Sequence, residues 1–127
     1  MKKTIFYSGN IILGCDNKPN LLIPSLKKKF PELNFLHYDP TEELPESFSG
    51  KLILIDTVVG ISEVTIFHNL NNFSPSPSVT LHDYDIILNL KLMIKLKKIK
   101  EVIIIGIPQK GTLKNLLNQT EMILKTI

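Results

Sequence analysis

An α/β fold, a three-layer α/β/α sandwich around a mixed sheet, is the expected architecture. Three observations point to it. Runs rich in isoleucine, leucine and valine alternate with segments whose apolar residues recur at helical spacing, along all 127 residues. Two runs, residues 51–56 and 102–107, are apolar at nearly every position, as in strands covered on both faces. Only about six residues, 57–62, separate run 51–56 from run 63–68. A parallel crossover needs a dozen or more, so this fourth strand runs antiparallel to the others.

Each element follows from its residues. Thr4-Ile5-Phe6-Tyr7 is the first strand, stopped by Ser8-Gly9-Asn10. After a loop through Gly14, Cys15 and Asp16, Pro19 opens a helix over residues 19–29, where its missing N–H is harmless. Leu22, Leu26 and Phe30 form its inward stripe, Pro24 interrupts it and Pro31 closes it. Residues 34–38 make the second strand. Residues 39–50 read as loop with one helical turn, broken by Pro40, Pro45 and Gly50. Residues 51–56 are the third strand, ending on Asp56. Residues 63–68 alternate more and form an edge strand. Residues 70–81, rich in Asn, Ser and Pro, form an extended loop. A helix over 83–97 follows, with Asp83 as N-cap and Ile86, Ile87, Leu90, Met93 and Ile94 on its buried face. The last strand covers 102–107 and the last helix 113–125.

Composition bounds the function. The length suits one domain, residues 1–127, without repeats or linkers. A single cysteine, Cys15, excludes an intrachain disulfide framework and suits a reducing cytoplasm. The start is too short in apolar residues for a secretion signal, and no apolar run reaches the ~18 residues of a membrane span. The net charge is +3, all of the cations are lysines, and the chain has no Arg, Ala or Trp. The bidentate donor preferred for phosphates and base edges is therefore absent, and aromatic residues do not interleave with the lysines. Lys91, Lys95 and Lys98 recur at helical spacing as a solvated face, so no nucleic-acid or membrane partner is expected.

Topology brings three chemically capable residues together. Asp56 ends the third strand and Asp16 follows the first, so both sit at the carboxyl end of the sheet. An antiparallel fourth strand descends about 20 Å, and a loop able to span about 40 Å brings the chain back up. His82 then lies at the same end, ahead of a descending helix. That is where α/β proteins hold their ligands. Two carboxylates and an imidazole suit nickel, zinc, manganese or iron, with coordination positions left for water or substrate. Taken singly, Asp16 also suits a loop or capping carboxylate, and His82 a capping or packing histidine. Cys15 has no histidine base at a fixed spacing and reads as inert or metal-adjacent. His37 and His68 fall within strands. Gly9 and Gly14 do not make a dinucleotide fingerprint.

The run Gly9-Asn10-Ile11-Ile12-Leu13-Gly14-Cys15-Asp16 resembles the amino-terminal motif of the nickel–iron hydrogenase maturation proteases. Residues 52–56 with Thr57-Val58-Val59-Gly60 are similar to that family's apolar strand ending in aspartate. Thr80-Leu81-His82 resembles its Ser/Thr-x-His motif, and Ile105-Gly106-Ile107-Pro108 its turn after the last strand. Asp39-Pro40-Thr41 stands where the family has an Asp-Gly-Thr-like turn. Cys15 replaces the first acid of the family's pair, and Asn17-Lys18-Pro19-Asn20 replaces a glycine-rich segment.

The resemblance implies a phosphorylase/hydrolase-like fold with a five-stranded sheet of order 2-1-3-5-4, strand 4 antiparallel. It also implies a cytoplasmic, monomeric endopeptidase that removes the C-terminal extension of a hydrogenase large-subunit precursor. Asp16, Asp56 and His82 would be its metal ligands and catalytic residues. Nickel would arrive with the substrate, and zinc or cadmium can replace it in crystals. Two other readings stay open at this point. One is a phosphoacceptor receiver domain using Asp56 and Lys110. The other is a non-catalytic relative that senses metal-loaded partners.

Overall fold

The computed structural model describes residues 3–8, 18–39, 50–70, 80–81 and 84–127. Its centre is built by the two most apolar runs. β3 (Lys51–Val59) and β6 (Glu101–Pro108) pair in parallel from Lys51 opposite Glu101 to Val58 opposite Pro108. Their isoleucines and leucines lie on both faces, so both faces must be covered. β1 (Lys3–Tyr7) flanks β3 in parallel, and β2 (Leu33–His37) flanks β1. On the far side β4 (Thr65–Phe67) pairs antiparallel with β6. The main path is β2-β1-β3-β6-β4, which is the expected order once the two-residue β5 (Thr80–Leu81) is counted as a separate strand.

Side-chain alternation sorts the layers. Leu52, Leu54, Val58 and Ile104 face α2 (Tyr84–Lys95), through Ile86, Ile87 and Leu90. Ile53, Ile55, Ile103, Ile105 and Ile107 face the opposite way. They meet Leu22 and Leu26 of α1 (Lys18–Lys29) and Leu116 and Leu124 of α3 (Leu113–Thr126). The helices thus lie on both faces of the sheet.

Several boundaries differ from expectation. β3 runs three residues past Asp56, because Thr57 and Val58 still pair with β6 and Val58 and Val59 with β5. β4 keeps only three residues, so His68 lies outside it and is exposed. His37 ends β2, exposed, with its ring edge-on to Tyr7 at 5.3 Å. Ile94 of α2 is 37% exposed rather than buried, and Met93 is only partly buried. That helix stops at Lys95, and Lys97 adopts φ 62 as the chain turns toward β6. Residues 105–108 belong to β6 and form no turn after it. α3 is capped by Thr112, whose Oγ1 accepts from the Asn115 N–H at 3.2 Å. Gln119 on the same helix accepts the Val64 N–H at 2.8 Å, which fixes the entry to β4.

Candidate functional site

β1 ends level with Ile55, where the Ser8 N–H donates to the Ile55 carbonyl at 2.9 Å. β5 joins β3 at Val58 and Val59. Val58 is also paired with Pro108 on β6, so β5 occupies the side of β3 from which β1 has departed. Asp56 and Thr57 lie between these two neighbours. On that side they face neither strand, although β6 pairs both from the other side.

Strand geometry explains what Asp56 does there. The Ile55 carbonyl points toward β1, so the Thr57 N–H, two residues on, points the same way. A buried N–H needs an acceptor. Asp56 supplies one: its Oδ1 takes the Thr57 N–H at 2.8 Å. The carboxylate is 1% exposed and Thr57 0%. The hydroxyl Oγ1 of Thr57 is buried with no hydrogen bond among the described residues.

Gly106 closes the opposite side. On β6, it pairs with Asp56 of β3 and with Thr65 of β4. A Cβ on Gly106 would stand 2.8 Å from Cγ2 of Val58 and 3.0 Å from Cε2 of Phe67. Those two side chains close over the glycine, and only a bare Cα fits there.

Other residues converge on this end of the sheet. Lys18, the first residue of α1, donates through Nζ to the Gln109 carbonyl, which ties the helix start to the end of β6. Partial burial lowers the pKa of this ammonium below its ordinary value. A cleft of about 480 Å³ opens between Gly60, Ile61 and Ser62 after β3 and Gln109, Lys110 and Gly111 after β6. Under α2, Tyr38 is 5% exposed and donates its hydroxyl to Oδ1 of Asn89. Burial, and to a lesser degree the charge of Asp39, raises the Tyr38 pKa.

Of the three expected ligands, Asp56 is described. It is buried near the carboxyl end of β3, three residues inside the strand rather than at its terminus. Asp16 and His82 lie outside the described residues, as do Gly9, Gly14, Cys15, Pro40, Thr41 and the N-cap assignment of Asp83. Their nearest described chain neighbours are Lys18, beside Gln109, and Leu81, opposite Val58. Among the described residues no group of three His, Cys, Asp or Glu side chains is arranged to hold a metal ion.

No protein-family model matches the chain, and no curated protein does. A solved structure, described as an uncharacterized protein from Wolinella succinogenes, is similar at 18% identity and a TM-score of 0.47. The similarity covers 94% of this chain and 80% of that one.

The sequence motifs include Thr57 and Gly106 but give neither a structural role, and nothing in the sequence marks the Lys18 contact. The β-branched continuation Thr57-Val58-Val59 was the available signal for a longer β3. Nothing local marks Gly106, whose need for a bare Cα arises from Val58 and Phe67. Chemically, a buried carboxylate oriented by a main-chain N–H supplies an oxygen ligand for a divalent ion or an acceptor for a proton.

Proposed function

We propose that this protein is an endopeptidase that removes the C-terminal extension of a nickel–iron hydrogenase large-subunit precursor after nickel insertion. In this reading Asp16, Asp56 and His82 bind the nickel that the precursor carries. The observation that carries the reading is the setting of Asp56. It is a buried carboxylate at the junction where β5 takes the place of β1, and Leu81, directly before His82 in the chain, pairs with Val58 just beyond it. The resemblance of the sequence motifs is the second support.

The nickel is part of the substrate. The three side chains would grip it and so place the scissile peptide at the carboxyl end of the sheet, where a metal ion can polarise a carbonyl or activate water. Water oxygen bonds to the carbonyl carbon, the C–N bond breaks, and the leaving amine takes up a proton.

The test incubates the purified protein with nickel-loaded and nickel-free precursor and measures the shortened product by mass spectrometry. Cleavage of the loaded precursor alone is expected. Equal cleavage of both defeats the nickel-dependent part, and cleavage of neither defeats the peptidase. Nickel-dependent binding without cleavage would instead identify a metal-sensing relative. A receiver domain is disfavoured by the antiparallel β4, since that fold expects a fully parallel sheet. Labelling of Asp56 by acetyl phosphate and magnesium would reverse that judgement.

A further inference from the structure

α2 is apolar on two opposite faces, and the core uses only one. Ile86, Ile87 and Leu90 are buried against the sheet. Leu88, Leu92 and Leu96 follow one another every fourth residue and are 57%, 52% and 55% exposed. They make an outward apolar stripe about 12 Å long, running from α2 into the turn after it. Adjacent exposed leucines of this kind mark contact surfaces more often than solvated ones.

The surroundings of the stripe are basic. From residue 84 to residue 100 the sequence has five lysines and one acid, Asp85. Lys91 and Lys95 are exposed, and helical spacing sets them along one flank of the stripe; Lys97 and Lys98, also exposed, follow beyond the helix end. Lys91 also lines a cleft of about 390 Å³ with apolar Leu70, Ile94 and Val102, whose charged lining is completed by Lys100 and one acid, Glu101. On the opposite flank, Asn89 is engaged by Tyr38.

We propose that this face of α2 docks a helical segment of another protein, apolar along one edge and acidic along the next. The apolar edge would cover the leucine stripe, and the carboxylates would meet the lysine ridge. The charge pattern selects this occupant. A helix lying in a bilayer surface carries its cations along both borders of the apolar face, and within α2 the two lysines border one. A second copy of this chain would bring lysines against lysines. The surface borders the amino end of β6, and the inference does not rest on the peptidase reading.

The test uses the full-length protein and a fluorescein-labelled synthetic helical peptide of 18 residues, with leucines along one edge and glutamates beside them. Fluorescence anisotropy should show saturable binding tighter than ~1 mM. Leu92→Ser should weaken it about tenfold, an effect expected from losing one half-buried leucine contact. The double variant Lys91→Glu with Lys95→Glu should weaken it by a similar factor and flatten its salt dependence. Both sites are exposed, and circular dichroism checks that each variant remains folded. The proposal is overturned if wild type and Leu92→Ser bind alike, if a peptide with lysine in place of glutamate binds equally well, or if no binding occurs up to ~1 mM. It is also overturned if the protein sediments instead with phosphatidylserine vesicles, or forms a dimer that Leu92→Ser dissolves.

Discussion

Asp56 has one observed role, as a main-chain acceptor, and one proposed role, as a metal ligand, and substitution can separate them. Its Oδ1 accepts the Thr57 N–H at the place where, among the described residues, β3 has no paired strand on one side. Asp56→Asn keeps a carbonyl oxygen for that bond, so urea unfolding should place its stability within about 1 kcal/mol of wild type. Asp56→Leu leaves a buried N–H unpaired and should cost about 1–3 kcal/mol. Both variants lose the charge, and both should abolish cleavage of the nickel-loaded precursor. Tyr38 offers a second test, through pH. Its pKa is raised in the folded state, chiefly by burial, and the unfolded reference is near 10. The neutral hydroxyl's contribution is therefore complete below about pH 10 and is lost as pH rises through the folded value. Denaturant titrations across that range should show wild-type stability falling more steeply than that of Tyr38→Phe. An equal slope in both would remove Tyr38 as the cause.

The pairing of β6 with β3 and β4 depends on a glycine. Gly106 lies opposite both Asp56 and Thr65, under Val58 and Phe67. Gly106→Ala should cost about 1–3 kcal/mol, because its methyl group would overlap Cγ2 of Val58. A melting temperature unchanged from wild type would show that β4 can shift aside freely. The elements themselves were readable where patterns were long. Residues 52–55 and 102–107 are apolar on both faces, and Leu22, Leu26 and Phe30 recur at helical spacing through α1 and just past its end. The antiparallel β4 followed from a link too short for a crossover. The sequence could not show that β3 continues to Val59 or that β5 pairs beside it. Those features come from partners distant in the chain, and a two-residue strand has no periodicity to detect. Ile94 was misplaced because it sits at the border of the buried face of α2, where spacing alone does not decide exposure.

The molecule as a whole is a covered mixed sheet with a buried carboxylate near the carboxyl end of its central strand. No helix among the described residues is long and apolar enough to cross a membrane. At the carboxyl end of the sheet α1 starts beside Gln109, and Leu81 of β5 pairs with Val58. The sequence suggested this convergence by counting how far each segment could reach, an argument about chain ends that leaves side-chain geometry undetermined. The proposed function requires that Asp16, Asp56 and His82 bind one cation. A crystal of the protein soaked in nickel, measured by anomalous scattering, tests it most directly. One nickel peak is expected, with an oxygen of each carboxylate and a nitrogen of the imidazole about 2.0–2.3 Å away. A peak that leaves Asp56 untouched, or an imidazole more than about 10 Å from that carboxylate, would contradict it.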